Sequence, residues 1–177
     1  MDRFWLITWT TYGTWLPGDL RGFVSGVRRA DGIQVVHNQP GTDYDRDRPH
    51  LKGFAKATQI VPAVRLTRKQ AALVCSQIQS TAGYRGWKAL AVAVMANHVH
   101  VVIGVPGDPE PQTLLRDFKS YCARRLNQGL TGKRKRWWTE SGSTRKLPDE
   151  AAVLAAIWYV ENQEHPLVVW IRGEESD

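Results

Sequence analysis

The spacing of apolar and polar positions divides the chain into short segments with two different periods. Arg3 to Leu16, RFWLITWTTYGTWL, is dense in aromatic and β-branched residues and predicts a first strand, closed by the turn signal Pro17-Gly18-Asp19. WKALAVAVM and HVHVVIGV are two further apolar runs joined at Ala96-Asn97, and they predict a hairpin. Three other segments carry helical spacing. TRKQAALVCSQIQSTAGYRG has Thr67 to cap its start and Gly83 near its end. PQTLLRDFKSYCARRLNQG opens on Pro111 and closes on Gly129. PDEAAVLAAIWYVENQ opens on Pro148 and two acids, which the helix dipole favours. Strand, helix, strand, strand, helix and a final helix predict an α+β domain, an antiparallel ferredoxin- or RRM-like sheet with helices packed on one face.

Leu20 to Val61 breaks this order with polar, irregular sequence, and HNQPGTDYDRDRPH is its least patterned part. We expect one domain over residues 1–177, with a surface insertion at about 20–61. Cys75 and Cys122 lie inside helical apolar patterns at a spacing that fits neither a zinc motif nor a small disulfide framework, so they read as core residues. No signal peptide pattern precedes the first strand, and no apolar run approaches the ~18 residues of a membrane span, so a cytoplasmic protein without a membrane partner is expected.

Charge sharpens the picture. Lys and Arg number 24 against 17 Asp and Glu, a formal net charge of +7, which favours an anionic partner. The excess is clustered: Arg116, Lys119, Arg124, Arg125, Lys133, Arg134, Lys135 and Arg136 stand against Asp117 alone. Trp137 and Trp138 follow at once. Cations for phosphates beside rings for base stacking suit a single-strand binder, so Lys119, Arg124, Arg125, Lys133, Arg134, Lys135, Arg136, Trp137 and Trp138 are candidate DNA contacts. At least one of the two tryptophans is expected to anchor the loop to the core instead.

His98 and His100 interrupt the most apolar run of the chain. Residues two apart on a strand project from one face, so the imidazoles point together while Val99, Val101 and Ile103 point the other way. Two neutral imidazoles side by side can grip a divalent metal, but two ligands do not make a site. The last helix offers more. Its apolar stripe is Val153, Ile157 and Val160, and Tyr159 and Gln163, four apart, share the flank above Ala152 and Ala156. A tyrosine at the edge of a core accounts for that pattern equally well.

HVH after a short apolar strand, followed by YVENQ on a helix, resembles the single-tyrosine (Y1) transposases of the insertion-sequence 200/605 type, members of the HUH endonucleases. TWTTYGTWLPGDLRG and MANHVHVVI are similar to the same family, including its relatives associated with repetitive extragenic palindromes, and the likeness spans most of the chain. The resemblance implies an HUH motif on a central strand, with Mg²⁺ or Mn²⁺ held by His98, His100 and Gln163. It implies that Tyr159 attacks a phosphodiester of single-stranded DNA, forming a 5′-phosphotyrosine and releasing a 3′-OH, in DNA transposition. DNA with hairpin or palindromic ends, a nucleoid association and either a homodimer or a monomer are implied as well. A domesticated hairpin-binding protein without transposition activity is the alternative. NQEHP departs from the Asn-Pro that often follows the tyrosine motif in the palindrome-associated relatives and is closer to the insertion-sequence form.

Tyr121, in FKSYCARRLN, is the rival nucleophile, but Arg125 four residues later cannot ligate a metal. Asn162 or Glu161 could substitute for Gln163 as ligand, but helical geometry points them away. A histidine-triad hydrolase is excluded, because Val102 stands where its third histidine is needed.

Overall fold

A computed structural model describes residues 1–16, 26–28, 34–36, 49–59, 61–128 and 132–173. The chain divides into two units, Met1–Thr11 with Val64–Asp177, and Tyr12–Ala63. The second unit holds β2 (Gly26–Arg28) paired antiparallel with β3 (Gln34–Val36), and α1 (Pro49–Ala57). The segment around 20–61, read as an insertion, falls within it, and most of HNQPGTDYDRDRPH lies outside the described residues.

The first unit is built on β1 (Arg3–Thr10), α2 (Arg68–Tyr84), β4 (Lys88–Val94), β5 (His98–Val105), α3 (Pro111–Asn127), β6 (Ser143–Leu147), α4 (Glu150–Glu161) and β7 (Val168–Ile171). Its five-stranded sheet runs β6-β1-β5-β4-β7, and every neighbouring pair is antiparallel. From β1 to β6 this is the ferredoxin-like order, in which β5 slots between β1 and β4. The α+β expectation holds, with the two histidines on the central strand. β2, β3, β6, β7 and α1 are elements that the apolar pattern did not announce.

Local chemistry sets the helix ends. Thr67 accepts from the Gln70 amide while the Gln70 side chain accepts from the Thr67 N–H, a reciprocal cap that satisfies two donors at the start of α2. Asp149 caps α4 by accepting from Ala152 N at 2.8 Å.

Strand alternation divides the core between two faces. Ile7, Trp9, Val99, Val101 and Ile103 point to one, where Trp9 stacks on Phe118 of α3 with ring centroids 6.3 Å apart. α2 and α3 cover that face. α4 lies on the opposite one, where Val153, Ala156 and Val160 pack with Ala91, Ala93, Val102 and Leu147, and Leu6 closes on them. The ferredoxin-like helices therefore share one face as expected, while α4 is added to the other. That second face carries Thr8, His98 and His100.

Candidate active site

The register of β1 with β5 sets Thr8 against His100 and Thr10 against His98. The two imidazoles stand side by side, with ring centroids 4.9 Å apart. Each has a partner that fixes its ring. The His98 Nδ1–H donates to the side-chain oxygen of Asn97 at 2.7 Å, and His100 Nδ1 shares a 2.6 Å hydrogen bond with the Thr8 hydroxyl. Outer partners of this kind select which ring nitrogen is left to act as ligand. His100 is only 5% exposed, and burial, with the neighbouring His98 adding to it, pulls its pKa down to about 3. It is a neutral imidazole near neutral pH.

α4 brings Tyr159 to this pair. Its ring meets His100 edge-on, with centroids 5.2 Å apart, and it is 45% exposed, so the phenol is open to a ligand. Leu6, Thr8, His100, Arg145, Ala155, Ala156 and Tyr159 line a cleft of about 370 Å³ between α4 and the sheet. The alanines leave space that larger residues would fill. Gln163 lies just beyond α4, and its Nε2 donates to the Tyr159 carbonyl at 2.8 Å, which turns its amide back along its own helix. The structure thus brings His98, His100 and Tyr159 together and places Gln163 one turn past the tyrosine. Tyr121 sits on α3, the helix layer on the opposite face of the sheet, under the Arg124 guanidinium at 4.7 Å.

Among the described residues, no group of three or more His, Cys, Asp or Glu is placed to hold a metal. His98 and His100 alone fit a divalent cation as neutral nitrogen donors with their Nδ1 atoms engaged. Among the described residues a third donor to such a cation would come from another kind of group, such as the amide oxygen of Gln163.

The basic segment divides into two kinds of residue. Arg124, Arg125, Lys133, Lys135 and Arg136 are exposed. Arg134 caps its own loop, its Nε donating to the Arg136 carbonyl at 3.1 Å. Lys119 points inward instead, donating to the carbonyls of Thr139, Glu140 and Ser141, and burial lowers its pKa to about 8. Trp137 and Trp138 are 5% and 8% exposed, with indole N–H groups bonded to Asn127 Oδ1 and the Lys119 carbonyl. Lys119 and both tryptophans, read as DNA contacts, therefore hold the loop in place, because their polar atoms and rings are occupied inside the fold. The loop runs on beside β1, where Thr139 bonds Thr10, the residue opposite His98.

Thr8, Asn97 and Arg145 are site residues that the sequence did not single out. Thr8 was legible in principle, since it alternates with apolar residues on β1. Arg145 was hidden in what read as a loop.

Residues 64–163 match the family model described as IS200-like transposase. The chain is similar in structure to a REP-associated tyrosine transposase bound to a REP hairpin, at TM-score 0.50 and 13% identity, over 89% of this chain and 64% of that one. It spans less than two thirds of that protein's length. A candidate transposase from Deinococcus radiodurans R1 aligns at TM-score 0.46 and 15% identity, over 93% of this chain and 94% of that one. No curated protein matches by sequence.

Proposed function

Because the chain belongs to the IS200-like, single-tyrosine transposase family, we propose that it cuts and rejoins single-stranded DNA in transposition, with Tyr159 as nucleophile. The observation that carries this reading is the edge-on contact of Tyr159 with His100 at the mouth of the cleft. The phenolic oxygen attacks the scissile phosphorus and forms a P–O bond to tyrosine. The P–O3′ bond breaks, the phenolic proton is lost, and the departing 3′ oxygen takes up a proton to become a 3′-OH. The phosphodiester free energy is kept in the phosphotyrosine, so rejoining needs no nucleotide cofactor.

His98 and His100 would hold Mg²⁺ or Mn²⁺ through Nε2, with Gln163 adding its amide oxygen. Such an ion polarises a phosphate and favours ionisation of a nearby phenol. The chain's own groups do the rest. Thr8 and Asn97 fix the imidazole rings, and Ala155 and Ala156 keep the cleft open beside the tyrosine. The exposed cations of α3 and the loop supply attraction for the backbone of the DNA. Hairpin-bearing DNA is the substrate we assign, following the relative solved on a REP hairpin.

The test is incubation of the full chain with labelled hairpin-bearing single-stranded DNA and Mn²⁺, followed by denaturing electrophoresis. A covalent adduct is expected from the wild type and from Tyr121→Phe, and none from Tyr159→Phe. An adduct retained by Tyr159→Phe overturns the assignment of the nucleophile. Salt-sensitive DNA binding with no adduct under any metal makes the chain a hairpin-binding protein that does not cut.

A further inference from the structure

β6 belongs to the sequence that reads as the tail of a basic loop, yet it is an edge strand paired with β1, and the pairing sets Leu6 against Arg145. Leu147, two residues on, is buried in the apolar cluster under α4. The two-residue period of a strand therefore puts Arg145 on the face that carries Thr8 and His100, and Lys146 on the other, opposite Trp5. Arg145 lines the cleft, and among the lining residues it is the one with a permanent charge. Arg3, Arg85 and Arg136 each have a carboxylate partner, in Asp108, Asp117 and Glu140. No hydrogen bond or ion pair engages the Arg145 guanidinium among the described residues. Arg145 is exposed, so its guanidinium reaches solvent at the cleft that Tyr159 also lines and can meet an anion there.

We propose that Arg145 is the phosphate-holding residue of the cleft, its guanidinium gripping the non-bridging oxygens of the phosphodiester that Tyr159 attacks. The inference rests on the reading of Tyr159 given above and adds a catalytic residue to it. Negative charge grows on those oxygens as the phenolic oxygen adds to phosphorus. The fork of the guanidinium matches two of them at once, which a lysine cannot do. Its position on a strand anchored by Leu147 presents the charge on a firm support. A donor fixed where transition-state charge develops contributes more to the chemical step than to ground-state binding.

Lys146 supplies the control, because its removal changes net charge equally from the opposite face. Arg145→Gln, Arg145→Lys and Lys146→Gln are compared in the full chain. At saturating hairpin-bearing single-stranded DNA, Arg145→Gln is expected to form adduct about 10²–10³-fold more slowly than the wild type. Arg145→Lys should recover part of the rate, and Lys146→Gln should stay within about threefold. An Arg145→Gln rate equal to wild type, or an equal loss in Lys146→Gln, overturns the proposal.

A second readout does not depend on cutting. Each phosphate contact contributes ~0.7 to the slope of log affinity against log salt for single strands. In the Tyr159→Phe background, Arg145→Gln should reduce that slope by about 0.7 and Lys146→Gln should leave it unchanged. A wild type that forms no adduct refutes the chemistry assigned to Tyr159, while an unchanged slope in Arg145→Gln refutes the phosphate contact itself.

Discussion

Folding stability in metal-free buffer should fall as pH drops below the usual range of histidine, because His100 is held neutral. Its pKa is about 3 in the fold against 6.5 for a free imidazole. Above pH 6.5 neither the folded nor the unfolded chain binds the proton, and nothing is lost. Between those two values the unfolded chain takes up a proton that the buried ring refuses, so the equilibrium shifts toward unfolding. Each pH unit in the window is worth about 1.4 kcal/mol. Stability should therefore drop by roughly 2 kcal/mol on going from pH 6.5 to 5, and by at most about 5 kcal/mol over the whole window. Carboxylates titrate over part of this range, so the quantity to measure is the difference between wild type and His100→Gln, which cannot take the proton. Urea unfolding followed by tryptophan fluorescence at pH 7 and pH 5, with a chelator present, gives it directly. His100→Gln starts lower at pH 7, by about 1 kcal/mol for the lost Thr8 hydrogen bond, and its deficit should shrink or reverse by pH 5. Parallel stability curves for the two proteins would refute the claim that burial keeps His100 neutral.

Two more predictions concern the support of the cleft. A Cβ on Gly142 would lie 2.7 Å from the Thr8 carbonyl oxygen and 2.9 Å from Leu115 Cδ2, so Gly142→Ala must push β6 away from β1. It should cost about 1–3 kcal/mol in urea unfolding and slow adduct formation by displacing Arg145; unchanged values in both assays would show that the strand gives way freely. Lys119→Met removes the donor to three loop carbonyls. A loss of roughly 1–3 kcal/mol is expected, with the salt slope of DNA binding unaltered, whereas a slope reduced by about 0.7 would mark Lys119 as a phosphate contact after all.

The sequence carried α2, α3, α4 and the central hairpin because each announces itself locally. Thr67 and Asp149 are caps with their partners three residues away, and β5 is an apolar run too short for a helix. His98 and His100 could be placed on one face from the period of a strand alone. What it withheld depends on partners far along the chain. STRKL has one apolar residue in five, and only its register with β1 and the burial of Leu147 under α4 reveal a strand. The tryptophans misled for a related reason. Next to a run of cations their rings look available, but Asn127 and the Lys119 carbonyl, on α3, draw their N–H groups inward.

The cleft is assembled from β1, β5, β6 and α4, with the bond between Thr8 and His100 spanning 92 residues of chain. Contacts so distant in sequence must close long loops as they form, at a cost in chain entropy. In chain order β1, β4, β5 and β6 all precede Tyr159, and of the sheet strands β7 alone follows it. α4 then both covers the apolar face of the sheet and delivers Tyr159. A chain that ends before α4 lacks Tyr159 and leaves that apolar face of the sheet uncovered. For a protein proposed to cut DNA, placing the nucleophile on the helix that covers the sheet ties the capacity to cut to the closing of that face.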